Sequence, residues 1–250
     1  MPIKRNKRSP EVIVLPDLEA VSWAAAERFV RLGQTHSPFS VALAGGATPR
    51  RLYELLATPP FREQIPWGRV HAFWGDERCV PPDDPGSNYN MARETLLDHV
   101  PLPVGNIHRV RGELDPETAA RAYAGELCDF FGAPWPTFDL VLLGMGDDGH
   151  TAALFPGADA LREESRPVVG VSAQYQDRPA RRVTLTPPAI NAARQVMFLV
   201  VGASKAETLR AVLEGPFQPH VLPAQIVQPT DGHLVWLVDG AAGHQIQRRV

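Results

Sequence analysis

The sequence predicts an α/β fold in which a mostly parallel sheet carries helices on both faces. Short apolar runs alternate with helical patterns along the chain, which is typical of strands joined by crossover helices. Several runs are apolar on consecutive residues, as in strands that are covered on both sides. The chain has no repeat of fixed period and no linker long enough to separate domains. We therefore expect residues 1–250 to form a single domain.

The predicted elements follow the chain in order. Each predicted strand is a short run rich in apolar residues, and the runs lie at 39–44, 70–74, 138–143, 168–171, 183–185, 196–201 and 234–238. The predicted helices flank them, at about 17–32, 49–57, 90–98, 116–131, 187–193, 205–213 and 240–249. Two helices have start signals: Thr48 precedes Pro49, and Ser204 with Glu207 has the spacing of a capping box.

Composition and charge exclude several classes of protein. The chain is 44% hydrophobic, and its formal net charge of -3 gives no electrostatic reason to expect a nucleic acid or an anionic membrane as partner. No apolar run approaches the ~18 residues that a membrane-spanning helix needs. The apolar patch at 12–15 is too short for a signal peptide, so residues 1–10 are expected to form a flexible basic tail.

Cysteine and lysine usage narrows the interpretation further. The two cysteines are too few for a disulfide scaffold or a structural zinc site, and a reducing cytoplasm is the simplest compartment. Of the 25 basic residues only Lys4, Lys7 and Lys205 are lysines, and Lys205 alone lies outside the N-terminal tail. Its isolation among arginines favours a functional role over that of an ordinary solvated lysine.

In a parallel sheet, ligands bind beyond the carboxyl ends of the strands, so the loops that follow strands are the candidate sites. The loop at 44–49 contains Gly45 and Gly46, which permit close approach of a ligand, and Thr48, which is placed to cap the next helix. Amide groups at a helix N-terminus attract anions, so this loop predicts a phosphate site. An ordinary strand-to-helix turn is the alternative.

The loop at 75–82 follows the next strand and contains two acids, Asp76 and Glu77, and Arg78. The acids are candidate acid/base groups, and the arginine is a candidate clamp for an anion. A surface ion pair of little energetic value is the alternative. Two further cations are candidates for a phosphate site, namely Arg182 beside the strand at 183–185 and Lys205 after the strand at 196–201.

The loop at 143–156 carries the candidate for proton transfer. Asp148 precedes His150 by two residues in a glycine-rich turn, which aims an imidazole into a cleft. Histidine is suited to proton transfer near neutrality, so we predict a catalytic His150 oriented by Asp148. The glycines at 144, 146 and 149 also satisfy G-x-G-x-x-G, but the acid that a dinucleotide site requires at a strand end about 20 residues later is missing.

Taken together, these segments resemble the 6-phosphogluconolactonase family, in the superfamily that includes glucosamine-6-phosphate isomerase. The resemblance covers roughly residues 35–240, and its motifs lie in order at 44–49, 74–78, 87–89, 106–109, 144–156, 182–184 and 202–205. It implies a Rossmann-like α/β fold. One departure is Ala44, where serine is frequent in the family, and it leaves phosphate binding to the neighbouring amides and to Thr48.

The resemblance also implies an activity, the hydrolysis of 6-phospho-D-glucono-1,5-lactone to 6-phosphogluconate in the oxidative pentose phosphate pathway. It implies that His150 acts as general base, that Asp148 orients it and that Asp76 lies near the sugar. The implied phosphate ligands are Gly45, Gly46, Thr48, Arg78, Arg182 and Lys205. No cofactor or metal is expected, and the expected partner is the small phosphorylated lactone, bound by a cytoplasmic monomer or weak homodimer.

Glucosamine-6-phosphate deaminase is the main alternative within the superfamily. Its pattern has a tyrosine where this chain has Arg78, and a glutamate of its histidine relay where this chain has Phe155. Lactone hydrolysis needs no such relay, so both differences favour the lactonase. A non-catalytic sugar-phosphate sensor stays open as an alternative, although no helix-turn-helix segment or basic patch is evident. A dinucleotide oxidoreductase is the third alternative.

Overall fold

A six-stranded parallel sheet forms the centre of the computed structural model, which describes residues 9–173 and 179–247. Numbered along the chain, its strands are β1 (Glu11–Leu15), β2 (Phe39–Leu43), β3 (Val70–Trp74), β5 (Leu140–Leu143), β8 (Gln195–Val200) and β9 (His233–Asp239). Their order in the sheet is β1-β9-β8-β5-β2-β3. Every residue of β2 and β5 is buried, which requires cover on both faces of the sheet. The predicted α/β class with a mostly parallel sheet is confirmed.

A smaller antiparallel sheet consists of β4 (Asp76–Arg78), β6 (Val168–Ser172) and β7 (Arg181–Leu185), in the order β4-β7-β6. Two of these strands agree with predicted apolar runs. The prediction of a loop across 75–82 is wrong at β4, which pairs with β7 from Thr184 to Arg182. Three polar residues are too few to show a period of two, so only the pairing with β7 reveals this strand.

The helices described are α1 (Leu18–Thr35), α2 (Ala47–Leu56), α3 (Phe61–Gln64), α4 (Asn88–Thr95), α5 (Pro116–Phe131), α6 (Pro187–Asn191), α7 (Ala206–Glu214) and α8 (Gly240–Gly243). Aspartate side chains cap three of them: Asp17 accepts a hydrogen bond from the amide of Ala20, Asp115 accepts one from the amide of Thr118, and Asp239 accepts one from the amide of Ala242. None of the helices in the described ranges is long and apolar enough to cross a membrane.

Local predictions fail at three further places. The apolar patch at 12–15 belongs to the edge strand β1, which pairs with β9. The predicted helix at 240–249 is only the four-residue α8. Helix α2 begins at Ala47 with Gly46 as its N-cap residue, so Thr48 lies in the first turn and does not cap the helix. Most of the predicted tail, residues 1–8, lies outside the described residues.

The order of the strands opens a crevice between β2 and β5. After β2 the chain adds β3 on one side, and it later adds β5 on the other side. Ligands bind at such a reversal of strand order, beyond the carboxyl ends of the strands. The loops that follow β2, β3, β5 and β8 meet at this edge because the strands are parallel.

Candidate active site

A cleft of about 350 Å³ lies at the carboxyl edge of the sheet. The loops after β2, β5 and β8 line it, together with residues of β4 and β7. Eight of the nine predicted site residues line the cleft: Gly45, Gly46, Thr48, Asp76, Arg78, His150, Arg182 and Lys205. The ninth, Asp148, contacts His150 directly. The structure therefore brings the whole predicted set together.

The glycine loop after β2 leads into α2 at one wall of the cleft. Gly46 has a φ of 110°, a value that favours glycine. Gly45 packs against Asn88, and a Cβ atom on Gly45 would lie only 1.9 Å from Asn88 Oδ1. Asn88 Nδ2 in turn donates to the carbonyl of Asp76 at 2.8 Å and so ties the glycine loop to β4. The amide groups at the start of α2 adjoin the cleft, as an anion site requires.

His150 and Asp148 form a hydrogen-bonded pair in the loop after β5. His150 Nδ1 lies 2.6 Å from Asp148 Oδ1, and the same oxygen accepts the backbone amide of His150 at 3.1 Å. Burial raises the pKa of Asp148, but the hydrogen bonds and charge of His150 outweigh this effect and hold the pKa below its usual value. The aspartate therefore stays ionised and fixes the orientation of the imidazole.

Gly146 makes room for this pair. A Cβ atom on Gly146 would lie 2.0 Å from His150 Nδ1 and 2.6 Å from Asp148 Oδ1. Gly149 has a φ of 79°, which lets the chain turn between the two residues. Gly146 and Gly149 thus serve the histidine–aspartate geometry, which accounts for two of the three glycines of the G-x-G-x-x-G spacing without a dinucleotide.

Phe155 contacts both His150 and Arg182. The rings of His150 and Phe155 stack with their centroids 4.6 Å apart, and the Arg182 guanidinium lies 5.0 Å from the Phe155 centroid. Arg182 is 2% exposed, and its Nε donates to the carbonyl of Pro179. The aromatic ring stabilises a buried cation at the wall of the cleft.

Asp76 and Arg78 both line the cleft from β4, because alternate residues of a strand share a face. Asp76 is buried, and Arg78 Nη1 donates to the carbonyl of Gly86 at 2.6 Å. No ion pair joins Asp76 to Arg78 in the part of the chain that the structure describes. The alternative interpretation of this segment as a surface ion pair is therefore wrong.

Glu77 lies between these residues and holds the start of α4. Its carboxylate accepts the backbone amides of Arg78, Asn88 and Tyr89 at 2.7–2.8 Å and the hydroxyl of Ser87 at 3.1 Å. The side chain is buried, and burial raises the pKa of Glu77 to about 7 although the three amides oppose the rise. One acid thus joins β4, which carries two cleft residues, to the helix that carries Asn88.

Glutamine at position 77 is expected to lower the free energy of unfolding by about 1–3 kcal/mol. Its amide nitrogen cannot accept the hydrogen bonds that one carboxylate oxygen of Glu77 receives. Urea unfolding at about pH 8, above the pKa of Glu77, measures the difference. The control is Glu63→Gln on the exposed surface of α3. Equal midpoints for the two variants would contradict a structural role for the buried carboxylate.

Lys205 pairs with Asp147 at the edge of the cleft. Lys205 Nζ lies 2.7 Å from Asp147 Oδ1, which also accepts the hydroxyl of Ser204 at 3.0 Å. The hydrogen bond from Lys205 lowers the pKa of Asp147. The predicted capping box is wrong, because Ala203–Lys205 is a 3-10 turn and α7 begins at Ala206 without a side-chain cap. Within residues 9–173 and 179–247, no group of three or more His, Cys, Asp or Glu side chains is placed to hold a metal ion.

The segment that builds the cleft matches a known protein family. The family model described as glucosamine-6-phosphate isomerases/6-phosphogluconolactonase matches residues 17–236. The chain belongs to this family. Every predicted site residue lies inside the part matched by the glucosamine-6-phosphate isomerase/6-phosphogluconolactonase model, whereas β1 lies outside it.

Several 6-phosphogluconolactonases are similar to most of the chain. The 6-phosphogluconolactonase of Synechocystis is 45% identical over 212 residues, which cover 83% of this chain and 85% of the relative. The 6-phosphogluconolactonase of Haemophilus influenzae is 38% identical over 217 residues, 87% of this chain and 91% of the relative. The solved 6-phosphogluconolactonase of Trypanosoma cruzi has a TM-score of 0.86 at 30% identity and covers 98% of this chain and 100% of its own.

The predicted set of site residues does not include Glu77, Asn88 or Asp147, although each contacts a member of that set. Each one had a local signal. Glu77 lies between two selected residues, Asn88 belongs to a segment that carries the resemblance, and Asp147 adjoins Asp148 in the histidine loop. Their partners, however, lie on other elements of the fold, so the fold is needed to identify their roles.

Proposed function

We propose that this protein hydrolyses 6-phospho-D-glucono-1,5-lactone to 6-phosphogluconate, as in the oxidative pentose phosphate pathway. The observation that carries the proposal is the joint placement in one cleft of an acid-paired histidine, His150, and the cations Arg78, Arg182 and Lys205. A general base and an anion site are what a phosphorylated lactone requires. The names of the similar family members support the same activity.

The phosphate end of the substrate is proposed to bind at the glycine loop and the three cations. The amides of Gly45 and Gly46, the Thr48 hydroxyl and the side chains of Arg78, Arg182 and Lys205 are the proposed ligands. Binding energy from this remote group holds the lactone carbon in place for reaction.

The chemical step is proposed to begin at the imidazole of His150. Because Nδ1 pairs with Asp148, the other ring nitrogen, Nε2, takes a proton from a water molecule as the water oxygen attacks C1 of the lactone. The tetrahedral intermediate then expels the ring oxygen, which receives that proton from the imidazolium, and the product carries a new carboxylic acid. Asp148 stabilises the imidazolium, and Asp76 is proposed to contact the sugar. These steps use no cofactor or metal.

The surroundings of His150 favour a hydrolase over the deaminase alternative. The deaminase pattern has a glutamate of its histidine relay at the position of Phe155. Here an aromatic ring stacks on the imidazole at that position and supplies no proton carrier. Asp148 pairs with Nδ1 of the His150 ring, an arrangement that suits a single base acting on water.

Four measurements separate the candidate functions. The lactonase accelerates opening of 6-phosphogluconolactone above its spontaneous rate. Release of ammonia from glucosamine 6-phosphate without lactone opening would replace the proposal with the deaminase. Binding of sugar phosphate with neither activity would favour the sensor, and saturable binding of NADP or NAD would favour the oxidoreductase.

Lys205→Ala is expected to raise the KM for the phosphorylated lactone about tenfold or more, since a charge-assisted hydrogen bond is worth roughly 1.5–3 kcal/mol. The kinetic constants for unphosphorylated gluconolactone are expected to change little, because that substrate has no group to bind Lys205. The control is Arg210→Ala, which removes an exposed cation from α7, the helix that follows Lys205. Equal losses on both lactones would contradict phosphate anchoring by Lys205.

We also propose a cytoplasmic location and a single domain that is a monomer or weak homodimer. Cys79 and Cys128 are free thiols, as is usual in a reducing compartment. A single domain is expected to give one cooperative unfolding transition, and sedimentation over a range of protein concentrations measures the oligomeric state.

A further inference from the structure

The Lys205–Asp147 ion pair distinguishes Lys205 from Arg78 in the wall of the cleft. A carboxylate neutralises Lys205 at 2.7 Å. Arg78, by contrast, donates to a backbone carbonyl, and no described carboxylate lies within ion-pair distance of it. Lys205 therefore exchanges or shares a charged partner whenever an anion binds to it, whereas Arg78 does not.

Asp147 is held firmly beside Lys205 by the segment that begins α7. Its Oδ1 accepts the hydroxyl of Ser204 at 3.0 Å, and its backbone carbonyl accepts the hydroxyl of Thr208 at 2.6 Å. Ion pairing lowers the pKa of Asp147, so the carboxylate is charged at neutral pH. The aspartate is a fixed negative charge at the edge of the proposed phosphate site.

We propose that Asp147 weakens the hold of the cleft on phosphate groups and thereby speeds release of the product. The proposal rests on the proposed function, since it concerns the lactone and the phosphogluconate bound at that site. Asp147 does not take part in the chemical step.

The direction of the effect follows from the two positions open to Lys205. If the lysine keeps its pair, a phosphate oxygen that accepts from Nζ at about 2.8 Å lies at most about 5.5 Å from Asp147 Oδ1. The two anions then repel each other at a separation shorter than the Debye length of about 8 Å, which limits screening by salt. If the lysine turns to the phosphate alone, the ion pair is broken. In both cases the charge of Asp147 opposes binding.

Product release is the step that benefits when the charge of Asp147 weakens binding of the phosphate. Hydrolysis converts a neutral ester into a carboxylate, so the product carries the phosphate and a second anionic group. The new carboxylate forms at C1, away from the phosphate site, so the cations hold the phosphate of the product as they hold that of the substrate. An acid beside one of those cations weakens that hold, and product release limits turnover in many enzymes.

Asp147→Asn is the direct test, because asparagine keeps the shape and an oxygen for the Ser204 hydroxyl while it removes the charge. Calorimetric titration with inorganic phosphate and with 6-phosphogluconate is expected to show Kd values about fivefold lower than those of the parent, equivalent to roughly 1 kcal/mol. The KM for the phosphorylated lactone falls, inhibition by 6-phosphogluconate strengthens and kcat falls. The kcat for unphosphorylated gluconolactone stays near that of the parent.

Glu207→Gln is the matched control. Glu207 is an exposed acid in the first turn of α7 with no ion pair in the described ranges, so its replacement changes the net charge equally without touching Lys205. The Kd of E207Q for phosphate is expected to stay within about twofold of the parent, as for an exposed charge screened by salt. Similar tightening in both variants would assign the effect to net charge and overturn the proposal.

The opposite sign is the second outcome that overturns the proposal. If Asp147 mainly orients Lys205 for the substrate, D147N weakens phosphate binding and raises KM. Both Kd measurements are independent of turnover, so they remain valid if the protein fails to open the lactone. Failure of lactone opening with tighter phosphate binding in D147N refutes the proposed function alone, whereas an unchanged or higher Kd refutes the role of Asp147.

Discussion

Replacing His150 by glutamine is expected to lower the rate of lactone hydrolysis by about 10²–10⁴-fold, the usual contribution of a general base. Glutamine fills much of the same space and can still bond to Asp148, but it cannot take a proton from water. The cleft and its cations stay in place, so the KM for the phosphorylated lactone is expected to change little. Rates are measured above the spontaneous opening of the lactone, at several enzyme concentrations.

His220→Gln is the control for this experiment. His220 has an exposed side chain outside the lining of the cleft, so its replacement tests the loss of a histidine without loss of the proposed base. The activity of H220Q is expected to equal that of the parent. Activity of H150Q within about tenfold of the parent would sink the general-base role. Thermal unfolding of both variants establishes that they are folded.

The buried strands of the central sheet could be predicted from the sequence, whereas its partly buried edge strand could not. The predicted strands at 39–44, 70–74 and 138–143 each contain three or more consecutive apolar residues, and the structure has strands at all three places. The sequence does not predict the edge strand β1, because it is only partly buried and is preceded by charged residues. It becomes a strand through its pairing with β9, which a local pattern does not contain.

The candidate site shows the same division between local and tertiary signals. The pairing of His150 with Asp148 is local, because two residues of one tight turn meet whatever surrounds them. The predicted capping box at Ser204 failed because a distant acid, Asp147, competes for the hydroxyl. Local side-chain patterns indicate which hydrogen bonds are available, and the packed fold decides which of them form.

Glu77 illustrates what a linear sequence leaves undetermined. It lies between Asp76 and Arg78, so the local sequence predicts a position in the cleft for Glu77 as much as for either neighbour. The pairing of β4 places alternate residues on opposite faces, so Glu77 is turned to the start of α4 and its neighbours to the cleft. Assignment of the middle acid therefore required the register of a strand that was not predicted.

Asparagine in place of Asp148 is expected to lower kcat for the phosphorylated lactone by about 10²-fold, near the upper end of what the roughly 1.5–3 kcal/mol of a single charge-assisted hydrogen bond implies. Two effects add. The carboxylate stabilises the imidazolium that forms during the reaction, and it holds the proton of the neutral ring on Nδ1. The amide group of asparagine can instead donate to Nδ1, which leaves the proton on Nε2 and removes the base.

A change in kcat without a change in KM distinguishes orientation of His150 by Asp148 from a purely structural role of Asp148. In D148N the KM for the phosphorylated lactone is expected to stay within about threefold of the parent, because Asp148 does not line the cleft and the phosphate ligands lie on other loops. The control is Asp129→Asn, an exposed acid on α5, with both constants unchanged. A rise in KM with unchanged kcat would contradict orientation of His150 by Asp148. A fall in kcat confined to D148N and H150Q, with KM preserved in both, is the result that a histidine–aspartate pair acting on water requires.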